Sequence, residues 1–133
     1  VFDALCVHKD AITTLPPGAT VLAGNSLSEI QALEIKHDGG TFWGVQYHPE
    51  YDLREMGRVA LRYGDALVKE GLFADKEAVS AYASMTETLS VNPKRQDIAW
   101  LLGIDEDILS PATRRLEITN WLTHQVRPYA SCR

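Results

Sequence analysis

The hydrophobic period changes once along this chain, near Tyr51, and that change constrains the fold more than any other feature. Up to about residue 50 the apolar residues fall in short runs and alternations, the pattern of strands. Beyond it they recur every three or four residues, the pattern of helices. The strand candidates are "VFDALCVH", a buried strand at Val21 to Ala23, "IQALEIK" and "TFWGVQYH". The last two flank "HDGG", where Asp38-Gly39 tolerates the positive φ angles of a tight hairpin turn. On the second arm Trp43, Val45 and Tyr47 share one face, and Phe42, Gly44, Gln46 and His48 share the other.

In "DLREMGRVALRYGDALVKEG" the residues Leu53, Met56, Ala60, Tyr63 and Leu67 form one apolar stripe, with Asp52 as N-cap and Gly71 as stop. Three further helices are predicted. One is capped by Asp75, one runs from an Asn92 cap through Pro93 to Gly103, and one starts at Ser110-Pro111 and stops before Pro128. The pattern breaks at "GLFAD", which divides the chain into residues 1–71 and a helical extension over 72–133. The extension has too few apolar positions for a robust core of its own, so it is expected to pack on the first part. Strands followed by a helix form the closing part of an α/β layer structure, whose other layers are expected from sequence before Val1.

Composition narrows the partners. The 133 residues are 45% hydrophobic, enough for a packed core. A formal charge of −5 without a basic run argues against a nucleic-acid partner. The apolar stretches are too short to span a bilayer, and no secretion signal is visible, so no membrane association is expected. Two cysteines without paired spacing, Cys6 and Cys132, point to a reducing cytoplasm.

The chemistry concentrates at "WGVQYHPEY", residues 43 to 51. Pro49 biases His48 toward an extended backbone, so His48 and Glu50 are expected to point the same way. Glu50 could then orient one ring nitrogen and leave the other as a general base, two members of a nucleophilic triad. Taken alone, His-x-Glu is a weak signal, and the alternative is a strand-end histidine hydrogen-bonded to a loop.

The surrounding residues bear on that choice. "GVQYHPE" resembles the G-V-Q-F-H-P-E signature of class I glutamine amidotransferases, with Tyr47 where phenylalanine is usual. Upstream, "HKDAITTLPPGATVLAGNSLSEIQALEI" resembles the segment that precedes it in that family, and together they cover about residues 1 to 70. The resemblance implies an α/β fold, the C-terminal part of a flavodoxin-like layered amidotransferase domain with an appended helical extension. It implies that His48 activates a cysteine thiol and Glu50 orients it. The thiolate would attack the side-chain amide of glutamine, form a glutamyl thioester and release ammonia.

The family's Gly-x-Cys-x-Gly elbow does not occur in these 133 residues. Cys6 is expected as a small buried strand residue, and Cys132 as an exposed residue of a polar tail. The nucleophile is therefore expected in an N-terminal part of the same domain. Rival readings are a γ-glutamyl peptidase-like thiol hydrolase of the same fold and a catalytically silent binding module. Glutamine, the N-terminal part of the domain and a synthetase or acceptor-binding partner are the implied partners, and the helices could close over the site or form a homodimer contact. No cofactor is expected. Zinc is not expected either, since the four histidines lack ligand spacing. His8 reads as a structural loop residue, His37 and His124 as solvated, Trp100 and Trp121 as core, and Arg114 and Arg115 as a solvated face.

Overall fold

The computed structural model describes residues 1–130, and Cys132 lies outside the described residues. The fold is mixed α/β, and the chain divides into two compact units. One comprises residues 6–49 with the segment from Arg115 onward, and the other comprises residues 1–5 with 50–114.

The first unit is built on a three-stranded antiparallel sheet, β1 (Ala19–Ala23), β2 (Ala32–His37) and β3 (Gly40–Val45), in that order. β2 and β3 pair from Ala32↔Val45 to His37↔Gly40, and Asp38 and Gly39 form the turn with φ of 47° and 77°. Positive φ at both central residues gives the turn a twist that matches the strands, as the Asp-Gly pair predicts. Across the directly opposed pair Glu34 and Trp43, the indole Nε1–H donates to Glu34 Oε1 at 3.1 Å. That bond, helped by Lys36, holds the Glu34 carboxyl below its ordinary pKa.

Several sequence expectations fail here. β1 is an edge strand whose Val21 and Leu22 are exposed instead of buried. The "VFDALCVH" run forms no strand; among the described residues its ladder contact is the antiparallel bridge Cys6↔Tyr47. The C-terminal segment adds α7 (Leu116–Trp121), a π-helical turn (Leu122–Val126) and α8 (Arg127–Ala130) after the helices of the other unit. The predicted stop before Pro128 is thereby crossed. Proline has no N–H to donate and crowds the preceding turn; the widened π turn just before it accommodates the irregularity, with Arg127 N–H donating to Leu122 O.

The second unit is helical, with α1 (Leu53–Arg62), α2 (Gly64–Lys69), α3 (Lys76–Val91), α4 (Gln96–Leu102), α5 (Glu106–Leu109) and α6 (Pro111–Arg114). Asp52 caps α1 by accepting from Glu55 N at 2.9 Å, and Asp75 caps α3 by accepting from Ala78 N at 2.7 Å. Each such cap contributes about 1 kcal/mol. Leu5, Leu53, Leu89, Ile98, Ala99 and Ile108 form the core. α1 lies close against α3 because Gly57 faces Ala83 and Thr86 without a side chain between them.

Here too the predicted elements shift. The single helix expected over residues 52–71 breaks at Tyr63, whose ring is exposed, and buried Gly64 opens α2. Asn92 ends α3 instead of starting α4, which begins at Gln96 and closes at left-handed Gly103. Trp100 is 79% exposed, so it is not core, while Arg114 is half-buried and donates from Nη1 to Ile108 O at 2.6 Å. Trp121, in the sheet unit, is exposed as well.

Candidate active site

β3 ends at Val45, and the chain runs on through Gln46, Tyr47 and His48. The Cys6↔Tyr47 bridge holds this continuation, so the segment before His48 is pinned by backbone pairing beyond the strand itself. His48 is half-buried and Pro49 is buried, the last two residues of the sheet unit. Glu50 is exposed and opens the helical unit. Pro49 and Glu50 lie in a turn, where the sequence suggests one further extended step.

A polar network lines one side of the segment. His8 Nδ1 lies 2.8 Å from Asp10 O, and a carbonyl only accepts, so Nδ1 carries the proton. Nε2 is then the acceptor and takes a hydrogen bond from Gln31 Nε2 at 3.3 Å. Gln31 Oε1 in turn accepts from the Cys6 thiol at 3.7 Å. Gln46 Nε2 donates to Asp10 O at 3.3 Å and ties the loop over residues 8–10 to the segment that carries His48. Gln46 Oε1 is buried and, among the described residues, receives no hydrogen bond. His8 is thus bonded within its own loop and is one link of a chain that reaches Cys6.

On the other side Tyr47 is buried, and its hydroxyl donates to Glu117 Oε1 on α7 at 3.3 Å. Burial and the neighbouring Glu117 charge push the Tyr47 phenol up to about 12, so it stays a hydrogen-bond donor across neutral pH.

Cys6 departs from its expected burial. The residue is exposed, yet its immediate surroundings desolvate the sulfur enough to raise the thiol pKa above its ordinary value. A raised pKa leaves little thiolate at neutral pH, the opposite of what a catalytic cysteine requires. His37 and His124 are exposed. Among the described residues no cluster of three or more His, Cys, Asp or Glu side chains could hold a metal, and no helix is long and apolar enough to cross a membrane.

Sequence reasoning missed Gln31, Gln46 and Glu117. Gln46 carried a signal, since it shares the strand face of His48 two residues away. Glu117 carried none, because its partner lies 70 positions away.

Comparison with known proteins adds an independent line. Residues 1–64 match the family described as glutamine amidotransferase class-I. A γ-glutamyl-L-1-hydroxyisopropylamide hydrolase of a Pseudomonas species is 37% identical over 131 residues, covering 97% of this chain and 43% of that protein. A glutamine-hydrolysing GMP synthase subunit from Methanocaldococcus jannaschii is 34% identical over 61 residues, 46% of this chain and 31% of that protein. A glutamine-hydrolysing GMP synthase from Thermosynechococcus vestitus is 43% identical over 54 residues, 41% of this chain and 10% of that enzyme. The chain therefore spans less than half the length of these relatives. No solved structure matches.

Proposed function

Because this chain belongs, through residues 1–64, to the class I glutamine amidotransferase family, we propose that the complete protein cleaves a γ-glutamyl amide through a Cys-His-Glu triad. His48 is the general base and Glu50 its orienting carboxylate. The cysteine comes from outside these 133 residues, since neither Cys6 nor Cys132 stands between glycines in an elbow.

The chemistry follows from the groups. A cysteine thiol is mostly protonated at neutral pH, so His48 takes its proton and the thiolate attacks the amide carbon. The tetrahedral intermediate collapses as the imidazolium returns that proton to the leaving nitrogen, which departs as ammonia or an amine. Water, deprotonated by His48, then hydrolyses the thioester to glutamate and regenerates the thiol. Glu50 steadies the imidazolium in both halves of the reaction.

The observation that carries this reading is the G-V-Q-Y-H-P-E stretch that begins at the end of β3, within the matched residues. With glutamine as the amide, the product is ammonia, and the GMP synthase subunits among the relatives favour a synthetase partner that consumes it. A second reading has support of its own. The match to the Pseudomonas γ-glutamyl amide hydrolase runs over 131 residues and so includes the helical extension, which favours a substituted amide and simple hydrolysis without an acceptor.

Incubating the complete protein with glutamine and with N-alkylated γ-glutamyl amides separates the two. Ammonia from glutamine in preference supports the amidotransferase reading, and preferential release of the larger amine supports the second. Release of neither would sink the γ-glutamyl amide assignment.

A further inference from the structure

The segment that carries His48 is fastened from two directions. Gln46 and Tyr47, on the residues just before His48, reach different partners. Gln46 reaches Asp10 O at 3.3 Å, the Cys6 bridge holds the backbone of Tyr47, and the Tyr47 hydroxyl reaches Glu117 Oε1 at 3.3 Å. A phenyl ring would fill almost the same space as the phenol. The hydroxyl adds a polar group to a side chain that is only 7% exposed, and that group is costly unless it is hydrogen-bonded. Glu117 supplies the acceptor, and a carboxylate makes the bond stronger than a neutral acceptor would. Glu117 lies on α7, outside the residues that match the amidotransferase family.

We propose that Tyr47 and Glu117 are a positioning pair that holds the backbone bearing His48 for amide cleavage. This rests on the functional reading above. The pair touches no reacting atom and acts through the residue next to Tyr47. The C-terminal helical segment thereby contributes to the reaction through the Tyr47–Glu117 hydrogen bond. A general base is sensitive to placement, since a displacement of about 1 Å can cost a hundredfold in rate.

The test compares the complete wild-type protein with Tyr47→Phe, Glu117→Ala and the double variant. Four quantities are read: kcat and KM on the best γ-glutamyl amide, the thermal midpoint, and the His48 ring resonance in histidine-labelled protein, with His37 as reference. Tyr47→Phe should lower kcat about tenfold with KM within about twofold, the mark of an interaction that serves the transition state more than substrate binding. Glu117→Ala removes the acceptor and should lower kcat by a similar factor, and the double variant should be no slower than the slower single variant, as expected when both substitutions break one bond.

A lowered thermal midpoint with unchanged kcat would reduce the pair to a structural contact and overturn the proposal. So would a double variant as slow as the product of the two single effects. If the wild-type protein cleaves no γ-glutamyl amide, the functional reading has failed and the pair is judged on the ring resonance. Broadening or splitting confined to His48 in Tyr47→Phe supports positioning, and an unaltered His48 signal overturns it.

Discussion

Replacing Gly57 with alanine sets two effects against each other, and the structure decides the sign. Glycine inside a helix costs about 1 kcal/mol relative to alanine, so propensity alone favours the substitution in α1. The new Cβ, however, would lie 2.5 Å from Thr86 Oγ1, 3.2 Å from Ala83 O and 3.3 Å from Ala83 Cα. Thr86 has no exposed surface, and its hydroxyl donates to Ala83 O at 3.0 Å, so it cannot swing aside without losing that bond. Overpacking of this kind costs roughly 1–3 kcal/mol, and the displaced buried hydroxyl adds about 1–3 kcal/mol if its bond is lost. With that bond lost, the net expectation is destabilisation by about 1–5 kcal/mol. Urea unfolding with an unchanged m-value measures it as a lowered midpoint. In a Thr86→Ala background the 2.5 Å contact is gone, and alanine at 57 should be close to neutral, a coupling of at least about 1 kcal/mol between the sites. A Gly57→Ala protein as stable as wild type would refute the claim that α1 and α3 are held this close.

Further outcomes are expected. Glu50→Gln should slow turnover less than loss of His48, because an amide still orients the ring but does not steady its charge, while Cys6→Ser should leave turnover unchanged. A fragment beginning near Asp75 should not persist as a stable product of limited proteolysis, since it lacks Leu5, Leu53 and Gly57, which the helical core and the α1–α3 contact require. Asp97, bonded to Arg95 at 2.6 Å, should titrate near about 2 by NMR, below its ordinary 3.8, chiefly through that bond. Because the folded value is the lower one, the small stabilisation is complete above 3.8 and disappears as pH falls toward 2; Asp97→Asn should remove that pH dependence.

What the sequence made legible was what local chemistry decides. The Asp38-Gly39 turn, the Asp52 and Asp75 caps and the left-handed Gly103 all depend on a few adjacent residues, and each stands where those residues predict. The misses lie where distant partners decide. Asn92 is a good N-cap by type, yet the end of α3 occupies it first. Tyr63 fits the apolar stripe of one long helix, but α1 packs on α3 through Gly57 and Ala83, and the chain breaks at Tyr63. Val21 and Trp100 have the hydrophobicity of core residues, and only neighbours could have buried them. At the candidate site, the motif pointed to His48 and Glu50. The links from Gln46 to Asp10 and from Tyr47 to Glu117 join residues that only the folded chain brings together.

The central claim is that His48 is the base of a thiol-dependent amide cleavage. It is tested most directly by single-turnover and steady-state hydrolysis of the preferred γ-glutamyl amide by the complete protein and its His48→Ala variant, each shown to be folded by its unfolding midpoint. A positioned general base contributes about a hundredfold to ten-thousandfold, so kcat should fall at least about a hundredfold, with acylation of the thiol as the step that slows. Near-normal amine or ammonia release by a folded His48→Ala protein would contradict the account.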